Sequence, residues 1–332
     1  MNSSALYIQL RPAGPWRIGP DSGDRNRTGT LLHSDTVYAA VCAAMHTLGR
    51  LPAWLEATAR AQEPAVRFSS AFPWHGDIRL VTPPRSHWPP EPSAKIRWKG
   101  ARFVPLSVAE AVARGESLDE EKWIVDGPSE CLVPAGESGP FRVGLRSAAA
   151  MDRFGAGIEP FTTACVEFAP RSGLWLMAAF AGDAARDAWG GPLQEAFRLL
   201  ADSGIGGERS RGWGRAHSPA FEDAPLPFQA MERANGEPRA WWLLSLFTPA
   251  ADDAILWDRG TYTSLVRGGR VESPDVAGAL KRQMRMITEG SVLLSAAPPC
   301  GHAPDVAPDG FPHPVYRAGF AFALPLPVQG NL

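Results

Sequence analysis

The chain has 332 residues, of which 45% are hydrophobic, so it can bury large cores, and about 150 residues per domain favours two domains. Its net charge of −2 argues against indiscriminate nucleic-acid binding, so any such site must be a local patch. No stretch has the length and apolarity of a membrane span, the start lacks a secretion signal, and the four cysteines form no CxxC pair. Cys300 and His302 would supply only half a metal site. We therefore expect a cytoplasmic protein with free thiols.

The first predicted elements are a strand and a helix. Residues 6–10 alternate apolar and polar side chains, which predicts a strand. Apolar residues recur at helical spacing over 33–48, with Ser34 or Asp35 placed to cap the first turn. This helix should pack on a sheet.

A basic stretch follows a proline-rich segment at 83–92, for which an extended conformation is expected. Residues 95–99 alternate cations with apolar side chains, so a strand would place Lys95, Arg97 and Lys99 on one face. The pattern predicts a projecting basic hairpin.

Further strands are predicted at 162–168 and 173–180. A helix should start at Pro192, a favourable first-turn residue, and end at Gly204.

The sequence at 221–239 is polar and contains prolines, which predicts a linker. Several strands and one helix, over 276–286, are predicted after it. Both halves therefore predict an α+β arrangement of helices on an antiparallel sheet.

The most distinctive stretch is GIGGERSRGWGR at 204–215. Its five glycines keep side chains out of the way of a ligand and allow positive φ, so that successive N–H groups can point into one concavity. Arg209, Arg211 and Arg215 suit phosphate oxygens, and Trp213 offers a face to a base. A P-loop would need a GK[ST] ending, and the dinucleotide fingerprint has Arg209 in place of its third glycine. From the residues alone, a solvated turn is as good an interpretation as an anion-binding loop.

This loop, directly after an amphipathic helix, resembles the glycine-rich loop of the RAMP superfamily of CRISPR effector proteins. The rest of the chain resembles the subunit that caps the crRNA 5′ end in type III-A (Csm) complexes. The matching stretches are HSDTVYAAVCAAM at 33–45, FSSAFPW at 68–74, MDRFGAGIEPF at 151–161, RMITEGSV at 285–292 and HPVYRAGFA at 313–321. The capping subunit of type III-B (Cmr) complexes, which shares the loop, is the nearest alternative.

The resemblance implies an α+β fold of two tandem ferredoxin-like (RRM-like) domains with a glycine-rich loop and irregular insertions. The domains would span 1–220, with a basic hairpin or thumb insertion near 83–145, and 240–332, joined by the linker at 221–239. It also implies a non-catalytic antiviral subunit that holds the crRNA 5′ tag, docks a large polymerase-cyclase subunit and a multi-copy RAMP backbone subunit, and meets target RNA indirectly. No cofactor, metal or membrane partner is expected.

The candidate RNA-binding residues are, in the loop, Gly204, Gly206, Gly207, Arg209, Ser210, Arg211, Gly212 and Trp213, and elsewhere His33, Ser34, Lys95, Arg97, Lys99, Arg153, Arg267 and Arg285. Helix capping is the alternative for Ser34 and is favoured for Asp35. Pairing with an acidic neighbour is the alternative for Arg153. Arg267 and Arg285 belong to a positively charged run that is also typical of a solvated face.

A metal-independent endoribonuclease is the rival function, with His33 or His75 as general acid or base and an arginine stabilising the charged intermediate. The seven histidines share no pattern, and no paired-carboxylate, HExxH or GxSxG motif is present. A third interpretation makes the loop a protein-docking element. In that case, substitution of Arg209 and Arg211 would leave RNA affinity unchanged. RNA binding without catalysis is the favoured function.

Overall fold

The computed structural model describes residues 4–19, 24–90, 96–151, 157–228, 237–273 and 278–326. The α-helices are α1 (Ser34–Thr47), α2 (Leu51–Ala57), α3 (Leu106–Ala113) and α4 (Asp183–Ser203). The strands are β1 (Ser4–Leu10), β2 (Val66–Phe68), β3 (Phe72–His75), β4 (Ile78–Val81), β5 (Val104–Pro105), β6 (Trp123–Asp126), β7 (Cys131–Pro134), β8 (Phe141–Met151), β9 (Ile158–Phe168), β10 (Ser172–Phe180), β11 (Ala220–Pro225), β12 (Arg239–Leu243), β13 (Ser264–Arg267), β14 (Met284–Ile287), β15 (Val292–Ser295) and β16 (Ala323–Pro325). No helix in the described ranges has the length and apolarity needed to cross a membrane.

The first half of the chain is built on a seven-stranded sheet in the order β11-β1-β10-β3-β4-β5, in which β2 also pairs with β10. β1 runs antiparallel between its neighbours, so that Leu6 lies opposite Ala178 on one side and Asp223 on the other. The predicted strands at 6–10 and 173–180 are confirmed as β1 and β10. The predicted helix over 33–48 is confirmed as α1, which packs against α4.

One apolar core joins the two halves of the chain. Trp54 is fully buried in this core, with ring centroids 5.9 Å from Tyr38, 6.2 Å from Phe68 and 5.2 Å from Trp189. Tyr38 in turn meets Phe320, from the end of the chain, edge-on at 5.8 Å. Because large aromatic rings bury much apolar area, this packing holds the halves in one orientation.

The second half contains the three-stranded sheet β15-β12-β16 and the hairpin β13–β14. Within the described residues from 237 to 326 there is no α-helix. The helix predicted over 276–286 is wrong for the described part of that range, residues 278–286. Met284–Ile287 forms the strand β14 instead. Met286 is buried and Arg285 is exposed, so the stretch follows the two-residue period of a strand.

The helix predicted to start at Pro192 begins earlier, at Asp183, and Pro192 lies inside it. A proline inside a helix removes one backbone hydrogen bond and is usually unfavourable. The packing of Trp189 against Trp54 accounts for the extra turns, because it gives the residues before the proline an apolar contact. Gly204 follows the last helical residue as predicted, with φ of 87°.

The linker predicted at 221–239 begins too early, since β11 occupies Ala220–Pro225 and pairs with β1. Its sequence is polar because β11 is an edge strand, and the exposed side chains of Glu222 and Asp223 form ion pairs with Arg79 and Arg186. Residues 229–236 of the predicted linker lie outside the described part of the chain.

The basic strand predicted at 95–99 is also wrong, because Ile96–Gly100 forms a 3₁₀ turn. Trp98 is buried there and stacks on Trp88 with ring centroids 5.5 Å apart, while the Trp88 indole N–H donates to the Trp98 carbonyl at 3.0 Å. Burial of this ring pair, rather than alternation of charge, decides the local conformation. Of the three predicted cations, Lys99 is exposed. Lys95 and the side chain of Arg97 lie outside the described part of the chain.

The projecting element of this region is the hairpin β8–β9, with eleven residues in each strand. The strand predicted at 162–168 is the second part of β9. The base of the hairpin β8–β9 is hydrogen-bonded to the segment after β1, because Trp16 and Val166 exchange backbone hydrogen bonds of 3.0 and 2.7 Å. In contrast, Val143 and Leu145 on β8 are 49% and 61% exposed. The outer edge of β8 pairs with no strand in the described ranges.

Candidate nucleic-acid interface

The glycine-rich stretch 204–215 forms a closed loop directly after α4. The N–H of Ile205 donates to the carbonyl of Gly214 at 3.0 Å, which joins the two ends of the loop. The N–H of Gly207 donates to the carbonyl of Arg17 at 2.8 Å, so the loop is also fixed to the segment after β1. Its position is therefore set by the sheet on one side and the helix on the other.

Three of the glycines are required by the fold of the loop itself. Gly204, Gly206 and Gly214 have φ of 87°, 92° and 77°, and a Cβ on each would lie 2.6, 2.4 and 2.1 Å from a neighbouring carbonyl oxygen. A side chain at these positions would meet backbone that cannot move aside. This differs from the sequence interpretation, in which all the glycines clear space for a ligand. Gly212 has φ of 80° and open surroundings, so it alone of these four leaves room beside its Cα.

The centre of the loop has the backbone conformation of an anion-binding nest. Glu208 is left-handed, with φ of 60° and ψ of 25°, and the 3₁₀ turn Arg209–Arg211 follows it. A left-handed residue followed by right-handed ones turns successive N–H groups towards one side. The N–H groups of Glu208, Arg209 and Ser210 have no acceptor within the described structure. These three amides are the donors that suit phosphate oxygens.

The two central arginines of the loop are paired with carboxylates but stay accessible. Arg209 forms an ion pair with Glu272, and Arg211 Nε lies 3.3 Å from the carboxylate of Glu208. The Arg211 guanidinium also lies over the ring of Phe161, 5.0 Å from its centroid. The arginine side chains are 37% and 39% exposed. Exposed ion pairs are weak, so a phosphate can replace these carboxylates.

A groove of about 450 Å³ separates the loop from the hairpin β8–β9. It is lined by Pro15, Arg146, Ser147, Ala148, Arg211 and Trp213. Beside it, the Arg25 guanidinium lies 5.2 Å from the centroid of the Phe161 ring. Flat rings next to guanidinium groups suit a nucleotide whose base stacks and whose phosphate is paired. Arg25, Arg146 and Phe161 are absent from the sequence-based candidates. The two arginines of RVGLR at 142–146, which lie an even number of positions apart and so on one face of a strand, are a signal that points to Arg146.

The start of α1 faces the second half of the chain. His33 precedes the helix without a side-chain capping bond, and its Nδ1 lies 2.8 Å from the buried carboxylate of Glu289. The Ser34 hydroxyl accepts the N–H of Leu246 at 3.0 Å. The predicted capping role of Ser34 and Asp35 is wrong, because both lie inside the first turn and their side chains are used in tertiary contacts.

Asp35 is buried between two arginines of the second half. Arg267 donates from Nε and Nη2 to the two carboxylate oxygens of Asp35, each at 3.0 Å, and Arg317 forms a further ion pair with it. Burial alone would raise the pKa of Asp35, but the two cations hold that pKa below its ordinary value. Arg267 is only 9% exposed, which argues against its predicted RNA contact. Its charge belongs to this buried group because the fold supplies a carboxylate partner.

Glu289, whose carboxylate contacts His33, is a second buried acidic residue beside the start of α1. Burial would raise its pKa, but the charge of His33 and hydrogen bonds from His33 and Ser70 lower it. We call this group the buried junction: His33, Asp35, Arg267, Glu289 and Arg317. Three of the stretches that carry the family resemblance therefore meet in one place, at 33–45, 285–292 and 313–321.

The remaining candidates lie apart from the loop in sequence. Arg285 is exposed and donates to the Ser264 hydroxyl at 3.1 Å, so its RNA contact stays a prediction. The same holds for Lys99. Arg153 lies outside the described residues. Within the described ranges, no three His, Cys, Asp or Glu side chains are grouped so that they could hold a metal ion.

Comparison with protein families gives one match. Residues 237–326 match the family model of the CRISPR Csm4 C-terminal domain. No curated protein matches the chain.

Solved structures share the fold of nearly the whole chain. A chain of the crystal structure of a Csm1-Csm4 cassette in complex with pppApA is 17% identical, with a TM-score of 0.60, over 99% of this chain and 100% of that one. A chain of the Csm3-Csm4 subcomplex in the type III-A CRISPR-Cas interference complex is 15% identical, with a TM-score of 0.66, over 97% and 100%. A chain of the cassette in complex with cA4 is 16% identical, with a TM-score of 0.59, over 99% and 100%. The shared fold is a mixed α/β chain with antiparallel sheets.

Proposed function

We propose that this chain is a non-catalytic RNA-binding subunit of a type III-A CRISPR effector complex in antiviral defence, and that it holds the 5′ tag of the crRNA. The observation that carries the proposal is the match of residues 237–326 to the Csm4 C-terminal domain. The fold shared with chains of Csm1-Csm4 and Csm3-Csm4 structures over nearly the whole length supports it.

The same structures indicate the partners. Those relatives are assembled with Csm1 in one case and with Csm3 in the other. We infer that this chain likewise docks a large polymerase-cyclase subunit on one side and a multi-copy RAMP backbone subunit on another. Target RNA would then meet this chain only through the guide RNA.

The glycine-rich loop and its groove supply the chemistry for holding an RNA end. The free amides of Glu208, Arg209 and Ser210 and the guanidinium groups of Arg209 and Arg211 suit backbone phosphates. Trp213 lines the groove and offers a ring for one base. Such contacts hold a strand in register with little readout of its bases.

We also propose that the chain consists of two tandem ferredoxin-like units of the RAMP type. One would end after β11, and the other would begin at Arg239. Each half has its own antiparallel sheet, which supports this division. The described part of the second unit lacks the α-helices of a ferredoxin-like fold, so the second unit resembles the first only in its antiparallel sheet.

A non-catalytic role agrees with the surroundings of the two histidines considered for catalysis. His33 Nδ1 lies against the buried carboxylate of Glu289, and its side chain is 17% exposed. His75 Nδ1 lies 2.6 Å from the hydroxyl of Ser172. Both rings are engaged in contacts within the fold. Incubation of the purified chain with repeat RNA in chelator tests this point, since cleavage abolished by His33→Ala would contradict a non-catalytic role.

The capping role is tested by the RNA that the chain retains. The chain would be co-expressed with the other type III-A subunits and a CRISPR array, and the 5′ ends of the purified RNA would be sequenced. We expect one constant tag derived from the repeat. Heterogeneous 5′ ends, in a complex that contains this chain in normal amounts, would contradict the proposal.

A further inference from the structure

A pair of arginines stands on one face of β8, held by a carboxylate of β9. In the register of the hairpin, Arg142 lies opposite Glu167 and Arg146 lies opposite Thr163, so all four side chains share a face. Arg142 Nη2 lies 3.0 Å and Arg146 Nη2 lies 2.5 Å from different oxygens of the Glu167 carboxylate. One carboxylate therefore orients two guanidinium groups.

Gly144 makes this arrangement possible. It lies between the two arginines on the same face, and a Cβ at this position would lie 3.1 Å from the carboxyl carbon of Glu167. That distance is shorter than an ordinary contact, so a side chain at position 144 would shift the carboxylate by a few tenths of an ångström from its place between the arginines. The three heavy atoms nearest to that Cβ all belong to the carboxyl group of Glu167, at 3.1, 3.2 and 3.5 Å.

The arginines are also open to a ligand. Their side chains are 74% and 57% exposed, while that of Glu167 is 20% exposed. Two cations and one carboxylate leave a net charge of about +1, which matches one phosphodiester group. Both arginines line a groove of about 500 Å³ along the hairpin. An ion pair built only for stability would not need its cations to face an open groove.

This groove continues into the one beside the glycine-rich loop. Arg146 lines both, and the second groove brings Arg211 and Trp213 next to it. The cations therefore form a track from the loop onto the hairpin.

We propose that Arg142 and Arg146, oriented by Glu167, form a binding site for the sugar-phosphate backbone of single-stranded RNA, adjacent to the glycine-rich loop. The site rests on the proposed function and deepens it, because it would hold the nucleotides next to those in the loop groove. The guanidinium groups bind non-bridging phosphate oxygens in fork geometry, and the contact reads no base.

The test measures binding of a fluorescent single-stranded RNA to the full chain across a series of salt concentrations. Each phosphate contact to a single strand contributes about 0.7 to the slope of log affinity against log salt, so Arg142→Gln with Arg146→Gln should reduce the slope by about 0.7, the value for the one phosphodiester group that the net charge of the site matches. Affinity should fall roughly tenfold, as expected for lost charge-assisted hydrogen bonds. Thermal unfolding of each variant checks that the hairpin fold is intact.

Two further variants sharpen the result. Arg142→Lys with Arg146→Lys keeps the charge but loses the fork, so we expect an unchanged slope with weaker binding. Arg50→Gln is the matched control, because Arg50 is 43% exposed and is also paired with one glutamate, at 3.3 Å. It should leave both affinity and slope at the wild-type values.

The outcomes separate this site from the proposed function. If the wild-type chain binds RNA but the double glutamine variant keeps its slope and affinity, the hairpin site is wrong while the loop can still hold RNA. If the variant alters binding of inorganic phosphate and not of RNA, the site serves a free anion and the proposal is also wrong. Absence of RNA binding by the wild-type chain would contradict both.

Discussion

The glycine-rich loop and the buried junction each pair an arginine with a carboxylate, but they do so in opposite surroundings. In the loop, Arg209 pairs with Glu272, and their side chains are 37% and 75% exposed. In the junction, Arg267 pairs with Asp35, and their side chains are 11% and 2% exposed. The sequence predicts an RNA contact for both arginines, but only the first has an accessible side chain. Burial, rather than residue type, decides which cation is available to a ligand.

The exposed ion pair of the loop and the buried ion pair of the junction also differ in what their loss costs in free energy. An exposed ion pair contributes about 0–1 kcal/mol, because water screens it and its side chains lose freedom, so a phosphate can displace its carboxylate. Removing one partner of a buried pair leaves an uncompensated charge and costs about 3–5 kcal/mol. The Arg209–Glu272 ion pair of the loop can therefore be broken at little cost in free energy, whereas the Arg267–Asp35 ion pair of the junction cannot.

The largest expected effect is on the junction. Asp35→Ala leaves Arg267 and Arg317 buried without their carboxylate, so the free energy of unfolding should fall by about 3–5 kcal/mol. Denaturant unfolding of the full chain measures it. Glu272→Gln, which removes the exposed partner, is the control and should change stability by less than about 1 kcal/mol. Equal effects of the two substitutions would remove the distinction between the regions.

The next effect separates two glycines of the loop. Gly214→Ala would place a Cβ against the Ile205 carbonyl at a positive φ, and should cost about 3 kcal/mol in the free energy of unfolding. Gly212→Ala has the same sign of φ but open space, and should cost only about 1 kcal/mol. Thermal or denaturant unfolding compares them. A larger loss for Gly212→Ala would contradict the description of the loop as closed on its own backbone.

A smaller effect is expected from acid. The pKa values of Asp35 and Glu289 are lower in the folded state than their ordinary values. A carboxylate of this kind contributes stability above its unfolded pKa, near 4, and loses it as the pH falls through the folded value. Unfolding free energies measured between neutral pH and about pH 3 should therefore decline more steeply for the wild type than for Glu289→Gln. Parallel declines would show that Glu289 gains nothing from His33 and Ser70.

The smallest effect on stability belongs to the loop arginines. Arg209→Gln with Arg211→Gln should change the free energy of unfolding by less than about 1 kcal/mol. The same variant should weaken RNA binding and reduce its salt slope by about 1.4, which fluorescence titration measures. Unchanged RNA affinity would support the alternative in which the loop docks a protein.

The sequence predicts what depends on local periodicity. β1, β10 and α1 follow from the alternation or helical spacing of their apolar residues, and the end of α4 follows from Gly204. The strand β14 does not follow from periodicity, because its charged neighbours hide a short two-residue alternation. The basic strand predicted at 95–99 does not form, because the stacking of Trp98 on Trp88 outweighs the charge pattern.

The site is predictable only in part, because some of its contacts join residues that are far apart in the sequence. The loop is visible because its glycines and arginines are adjacent in sequence. The partner of Asp35, Arg267, lies 232 positions away, so no local pattern distinguishes a buried arginine from an RNA-binding one. Arg146 and Phe161 join the loop through the return of the hairpin β8–β9, which is also a non-local contact.

The most direct measurement of the central claim is ultraviolet crosslinking of RNA within the assembled complex, followed by mass spectrometry of the crosslinked peptides. The predicted result is crosslinks from the constant 5′ tag to the peptides that carry Trp213 and Phe161, with none to those that carry Asp35 or Glu289. Crosslinks of the tag to the junction peptides, or of the loop only to interior guide nucleotides, would contradict the assignment of the loop as the clamp for the crRNA 5′ end.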